Sequence, residues 1–403
     1  MGKISVQKEA LIWGAGKIGR GFLAEIFNDA GYHITFVEYD SKLVDDLRNA
    51  KAYTIYKALD SDRYDTVKVH GYDILNSQDI HAISERIICE DTILAVAVHQ
   101  SALPSVIKTI SQSVIKKAKL NPSGKLDIIL CVNMPHTAKY CRQLFREYLP
   151  SALHTYLDNN IGLIESVVMR ICPQATKEIL KADKLAVLTN GYPNMPVDKM
   201  AFKGFIPNTK MFKLTDNIIA EEMRKIYTLN MSHAMLAYLG TPRGYKDAYE
   251  AIQDDEIRYA LTMALNESGQ GLMREYEFTA LETEKWNDDI VHLLENPLLN
   301  DTLSRLGADS KRKLGREDRL SGPALLCLKH GITPFYLAQG IAYGFMFDQP
   351  NDQGTGIVQS YLRDNGIDMA VREICGLKDE NLIKLILDIY DQISLSNKII
   401  LKI

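Results

Sequence analysis

The sequence predicts an α/β fold, with a doubly wound parallel sheet in the first half of the chain and a mainly α-helical second half. Three observations carry that expectation. A glycine-rich turn, Gly14-Ala15-Gly16-Lys17-Ile18-Gly19, follows directly on the short apolar run Ala10-Leu11-Ile12-Trp13. Continuous apolar runs at 92–98 and 127–132 read as strands buried on both faces, with helical patterns between them. Past residue 190 strand candidates become few and helical periodicity dominates. At 403 residues the chain is long for a single core, so two domains are expected, 1–192 and 193–403. The turn-rich segment Gly191-Tyr192-Pro193-Asn194-Met195-Pro196 marks the break.

The first strand and its turn carry the spacing G-x-G-x-x-G of a Rossmann-type dinucleotide fold. The first glycine permits the turn, the second lets backbone approach a pyrophosphate, and the third lets helix pack on strand. Phe22, Leu23, Ile26 and Phe27 then fall at helical spacing, with Gly31 as the stop. The start of that helix offers N–H groups and a positive dipole end to phosphates. A second strand over 32–37 ends at Glu38, 19 residues after Gly19, where a ribose-binding acid is expected. Glu38 would accept hydrogen bonds from the ribose hydroxyls and repel a 2′-phosphate, which favours NAD over NADP. Lys42 and Arg48 are the cations that could instead meet such a phosphate.

Ser41 is the expected N-cap of a helix carrying Leu43, Val44 and Leu47. Residues 53–56 and 66–69 alternate like a hairpin inserted into the basic pattern. The strand over 92–98 runs into Val98 and His99, a helix is expected at 102–119, and the strand over 127–132 ends at Asn133. Ligands of open α/β sheets sit beyond the carboxyl ends of strands. Val98, His99 and Asn133 are therefore expected on the same rim as the glycine turn.

In the second half the strongest helix spans Glu221 to Gly240. Ile219, Met223, Ile226, Asn230, His233 and Ala237 share one stripe of it. Two polar side chains in an apolar stripe need either core partners or a cleft to face. Lys225 sits off this stripe, roughly 80° from His233 at ~100° per residue. Read alone, it is a solvated helix lysine paired with Glu221 or Glu222.

Composition narrows the function classes. Hydrophobic residues make up 46% and the net charge is −4, and no basic run with interleaved aromatics suggests a nucleic-acid partner. No apolar stretch approaches the ~20 residues of a membrane helix. The start, Met1-Gly2-Lys3-Ile4-Ser5, lacks an apolar leader, so a cytoplasmic protein is expected. Six cysteines lie far apart without C-x-x-C, which reads as reduced thiols, and no ligand set for a metal is present.

Lys225-Ile226-Tyr227-Thr228-Leu229-Asn230-Met231-Ser232-His233 resembles the K-x4-N-x2-H signature of the polyol-specific long-chain dehydrogenases, the mannitol dehydrogenase family. The resemblance continues through Phe202-Lys203-Gly204, Leu214-Thr215-Asp216-Asn217, Arg305-Leu306-Gly307 and Asp318-Arg319-Leu320. It implies a metal-independent oxidoreductase of sugar alcohols or their phosphates, with a Rossmann domain and a helical domain. Within the family it points to a hexitol phosphate and its ketose phosphate, mannitol 1-phosphate and fructose 6-phosphate. An unphosphorylated polyol or a hexuronate such as tagaturonate or fructuronate is the alternative. A non-catalytic NAD-binding regulator on the same scaffold is the competing class, and a monomer or small homo-oligomer is expected.

The resemblance makes Lys225 the general base, Asn133 and Asn230 the amides that hold a developing alkoxide, and His233 the group that orients the hydroxyl and helps keep Lys225 deprotonated. Lys203, Lys313 and Arg319 are candidates for a substrate phosphate. The chain departs from the family pattern at Val132, His99 and the segment 189–195.

Overall fold

The computed structural model describes residues 8–59, 62–396 and 398–401, so Met1–Ser5 lie outside the described residues. The chain divides into two compact units, residues 1–221 and 222–403. Residues 193–221, grouped by the sequence reading with the helical half, fall in the first unit.

The first unit is built on a six-stranded sheet. Its strand order is Asp73–Asn76, His33–Glu38, Glu9–Trp13, Thr92–Val96, Leu126–Leu130 and Ile161–Glu165. Every neighbouring pair runs parallel. Alternate residues of each strand feed two cores. Ala10, Ile12, Ile34 and Phe36 pack on one face, and Leu11, Trp13, Leu94 and Val96 on the other. Burial on both faces is why these strands read as continuous apolar runs rather than as alternation. The order reverses between Glu9–Trp13 and Thr92–Val96, and their carboxyl ends open the crevice where such sheets take ligands.

Smaller elements differ from expectation in instructive ways. The helix Ser41–Ala50 is capped by Asp40, whose carboxylate accepts from the Lys42 and Leu43 N–H groups, so Ser41 is its first residue rather than its cap. The expected hairpin forms from Ala52–Lys57 and Asp65–His70 and gains a third, parallel strand, Val187–Thr189. Met195–Asp198 and Phe212–Thr215 pair in parallel, and Met195 and Val197 are buried in the same core as Ala10 and Ile12.

The second unit is helical. Its centre is Met231–Gly240, in which all ten residues are buried. A helix apolar on every side requires neighbours all round. Leu303–Gly307, Phe335–Met346 and Asp255–Tyr276 supply them. No helix among the described residues is long and apolar enough to cross a membrane.

Candidate active site

The glycine turn of the first unit uses each glycine for a different reason. Gly14 has φ +99°, and a Cβ there would lie 2.4 Å from the Ala97 carbonyl oxygen. A Cβ on Gly19 would lie 1.9 Å from the Gly14 carbonyl oxygen, so the helix can sit on the turn only without a side chain. Gly16 would meet nothing within 4 Å. Its exposed backbone is the part of the turn that a diphosphate can approach. The Arg20 Nε–H donates to the Ala15 carbonyl at 2.7 Å and braces the turn from behind. Lys17 and Ile18 open the helix, Lys17 on the exposed side.

Glu38 ends its strand 5% exposed. Its Oε2 accepts the Ala15 N–H at 2.8 Å, and its Oε1 accepts the N–H groups of Tyr39 at 2.8 Å and Asp40 at 3.1 Å. One carboxylate thus ties the glycine turn to the end of the second strand. A carboxylate offers about four acceptor positions, so capacity remains for a ribose hydroxyl.

Val98 reaches the same turn, its Cγ1 3.3 Å from where a Gly14 Cβ would be. His99 is exposed and caps the short turn Gln100–Ala102, with Nδ1 2.9 Å from the Ser101 hydroxyl. Asn133 is exposed just past the strand Leu126–Leu130. The carboxyl rim of the sheet therefore brings together the glycine turn, Glu38, Val98, His99 and Asn133.

Lys203 is not on that rim. Its backbone N–H, with that of Gly204, is bound at 2.8 Å by the carboxylate of Asp127, the second residue of the strand Leu126–Leu130. This is the amino end of the sheet, opposite the ligand edge, and the Lys203 side chain is exposed there.

In the second unit, the helix Ile218–Arg224 passes into a π turn, Lys225–Asn230, before continuing as Met231–Gly240. The Met231 N–H donates to the Ile226 carbonyl five residues back. A π turn absorbs one extra residue without advancing the helix face. On a straight α-helix Lys225 would stand ~140° from Asn230 and ~80° from His233. With the extra residue absorbed, those angles fall to roughly 40° and 20°. The off-stripe placement of Lys225 is thereby overturned: Lys225, Asn230 and His233 share a face. Ile219, at the start of the proposed stripe, is 44% exposed and takes no part in it.

Charge reinforces this grouping. Burial and the neighbouring Arg319 guanidinium push the Lys225 amine down to about 8. His233 is pushed down to about 3 by burial and by Arg305, Arg319, Lys313 and Lys225. It is therefore uncharged near neutrality, and Arg319, rather than His233, disfavours the Lys225 proton. Lys313 is buried, donates to the Leu306 carbonyl and is lowered to about 7 by burial first and by Arg319 and Arg312 next. Arg319 is buried with its Nε 2.6 Å from Asp318 Oδ1, and Arg305 forks onto Asp301.

Sequence reasoning missed the π turn and the place of Arg305 in this cation group. A signal for the turn was available, since five residues separate Lys225 from Asn230, the interval that shares a face only when a turn closes i to i+5.

Two family models match the chain end to end in sequence order. The mannitol dehydrogenase Rossmann domain covers residues 8–211, and the mannitol dehydrogenase C-terminal domain covers 217–396. The chain is 31% identical over 369 residues to a mannitol-1-phosphate 5-dehydrogenase of Buchnera aphidicola subsp. Acyrthosiphon pisum, covering 92% of this chain and 94% of that one. Its fold is similar to substrate-free D-sorbitol dehydrogenase, with TM-score 0.83, 16% identity and coverage of 96% of this chain and 93% of the other. It is also similar to Pseudomonas fluorescens mannitol 2-dehydrogenase in a ternary complex with NAD and D-mannitol, with TM-score 0.73, 16% identity and coverage of 98% and 93%. The chain belongs to the mannitol dehydrogenase family and is an oxidoreductase of the CH–OH group.

Proposed function

We propose that this protein is an NAD-dependent dehydrogenase that interconverts mannitol 1-phosphate and fructose 6-phosphate, with Lys225 as general base. The observation that carries the phosphate reading is the grouping of Arg305, Lys313 and Arg319 around Lys225 and His233. Two buried cations, Lys313 and Arg319, with the more exposed Arg305 beside them and two lysines held well below their ordinary value, suit a dianionic substrate. The Buchnera relative, named for a hexitol phosphate, supports the same reading.

The glycine turn fits NAD: Gly16 leaves its backbone open for the diphosphate, and Glu38 presents a carboxylate at the ribose position. Bound there, NAD supplies a hydride acceptor. Lys225 Nζ takes the proton of the substrate hydroxyl as the carbon gives up its hydride. At about 8, about one in ten Lys225 amines is neutral at pH 7, against fewer than about one in a thousand at the ordinary lysine value. The Asn230 amide donates to the developing alkoxide without competing for its proton, and the family resemblance gives Asn133 the same role. Neutral His233 orients the hydroxyl. Arg319 and Lys313 hold the phosphate and fix which carbon is presented.

The test is NADH oxidation by the purified protein with fructose 6-phosphate, fructose, tagaturonate and fructuronate in parallel. Fructose 6-phosphate is expected to be reduced with the highest kcat/KM. Equal turnover of fructose would remove the phosphate reading and leave a dehydrogenase of free polyols, and preference for a hexuronate would replace it. Binding of NADH with no turnover of any ketose would favour a regulator.

A further inference from the structure

The mechanism needs Lys225, Asn230 and His233 on one face, and only the π turn at Lys225–Asn230 puts them there. Such a turn gives up regular hydrogen bonds and is rare unless its surroundings hold it. Two hydrogen bonds from other helices meet it, and a third ties it to the preceding helix. The Ser268 hydroxyl, on the helix Asp255–Tyr276, donates to the Tyr227 carbonyl at 2.7 Å. The Trp286 indole N–H, on the helix Ala280–Leu294, donates to the Thr228 hydroxyl oxygen at 2.8 Å. The Thr228 hydroxyl in turn donates to the Arg224 carbonyl, one residue before the turn. The Arg224 guanidinium stacks 4.5 Å from the Trp286 ring and 4.7 Å from Phe278, which fixes the last α-helical residue before the turn. Thr228, Ser268 and Trp286 are all buried, so each of these bonds is made without competing water.

We infer that Thr228, Ser268 and Trp286 are positioning residues, which hold the segment Lys225–Asn230 as a π turn and so aim Lys225 along the face of Asn230 and His233. This rests on the reading of Lys225 as the base. None of the three touches the reacting groups; they act through the backbone of the turn. A relaxation of the turn to α-helix would swing Lys225 by about 100° relative to His233 and away from Arg319. The amine would then regain the proton affinity of an ordinary lysine.

Thr228→Val tests this, because it keeps the shape of the side chain and removes the hydroxyl that both accepts and donates. The pH dependence of Lys225 acetylation by acetic anhydride, followed by mass spectrometry, reads the amine without any substrate. In Thr228→Val that profile is expected to move toward higher pH, and fructose 6-phosphate reduction is expected to fall roughly 10- to 100-fold with the KM for NADH unchanged. Thr228→Ser, which restores the hydroxyl, is expected to keep the wild-type profile and rate. A wild-type labelling profile and rate in Thr228→Val would overturn the inference. Should Thr228→Val fail to fold, Ser268→Ala removes one bond to the turn and decides by the same readouts. Wild-type turnover in Lys225→Ala would remove the base reading instead, while the labelling profiles of the other variants would still report on the turn.

Discussion

Position 225 decides the chemistry by what surrounds it. A lysine on a solvated helix face is a cation at every physiological pH, whereas here burial and Arg319 lower it to about 8. Polyol oxidation needs the amine neutral, so its rate is expected to rise with pH through about 8 and level off above it. Ketose reduction needs the protonated amine and is expected to decline over the same range. Lys225→Ala should lower turnover by about 10²–10⁴-fold and flatten both profiles while leaving NADH affinity intact. A pH profile for Lys225→Ala that matches the wild type would assign the base elsewhere. Glu38 shows a second way in which surroundings enlarge a role. Its carboxylate was expected to read the ribose, yet it also binds the Ala15 N–H of the glycine turn. Wild-type kcat/KM is expected to favour NADH over NADPH, and Glu38→Ser should narrow that ratio by about 10-fold or more, since hydrogen bonds to a charged acceptor are lost. Because the turn loses its brace as well, NADH binding itself should weaken. A ratio at or below one in the wild type is the outcome that would refute this reading of Glu38.

At the scale of elements, the glycine turn makes the sharpest contrast. Gly16 and Gly19 occupy equivalent-looking places in the motif, but only Gly19 is hemmed in by backbone. Gly19→Ala is expected to lower the melting temperature and abolish NADH binding together, because the helix must lift off Gly14. Gly16→Ala should melt like the wild type and still weaken NADH binding, since its methyl group enters only the space the diphosphate would use. Equal melting temperatures for the two variants, measured alongside NADH titrations, would contradict this division. These elements also indicate what local sequence can and cannot specify. The parallel strands were readable because burial on both faces leaves continuous apolar runs such as Leu94-Ala95-Val96. The third strand of the inserted sheet, Val187–Thr189, was not, since three residues carry no period and its partner is more than a hundred residues away in sequence. The segment Phe202-Lys203-Gly204 was readable as a motif, but the contact of its backbone N–H groups with Asp127, more than seventy residues earlier, was not, because local sequence does not carry it. The face shared by Lys225 and Asn230 escaped an argument that assumed 100° at every step.

Across the whole molecule, charge is distributed against the net balance. The chain carries −4 overall, yet the second unit buries Lys313 and Arg319 close to Lys225 and Arg305. Concentrating like charges costs folding stability, and the cost has a definite sign with pH. Lys313 is held at about 7 when folded against 10.5 when its surroundings are lost. Between those values the unfolded chain binds more protons than the folded one, so stability rises with pH across this window and falls as pH drops toward 7. Lys225, at about 8, contributes with the same sign. The slope from one such group is at most about 1.4 kcal/mol per pH unit. Lys313→Met also strips the Leu306 carbonyl of its donor, which lowers stability by a similar amount at every pH. The slope is therefore the informative quantity rather than the level. Urea unfolding at pH 7 and at pH 9.5 should show the wild type gaining stability relative to Lys313→Met as pH rises, with the gap reduced at pH 7 by saturating fructose 6-phosphate, whose dianion offsets the crowded cations. A difference between the two proteins that stays constant with pH would mean that Lys313 is charged in the folded state at no cost. The cation group would then be an ordinary set of paired surface charges rather than a site held ready for an anion.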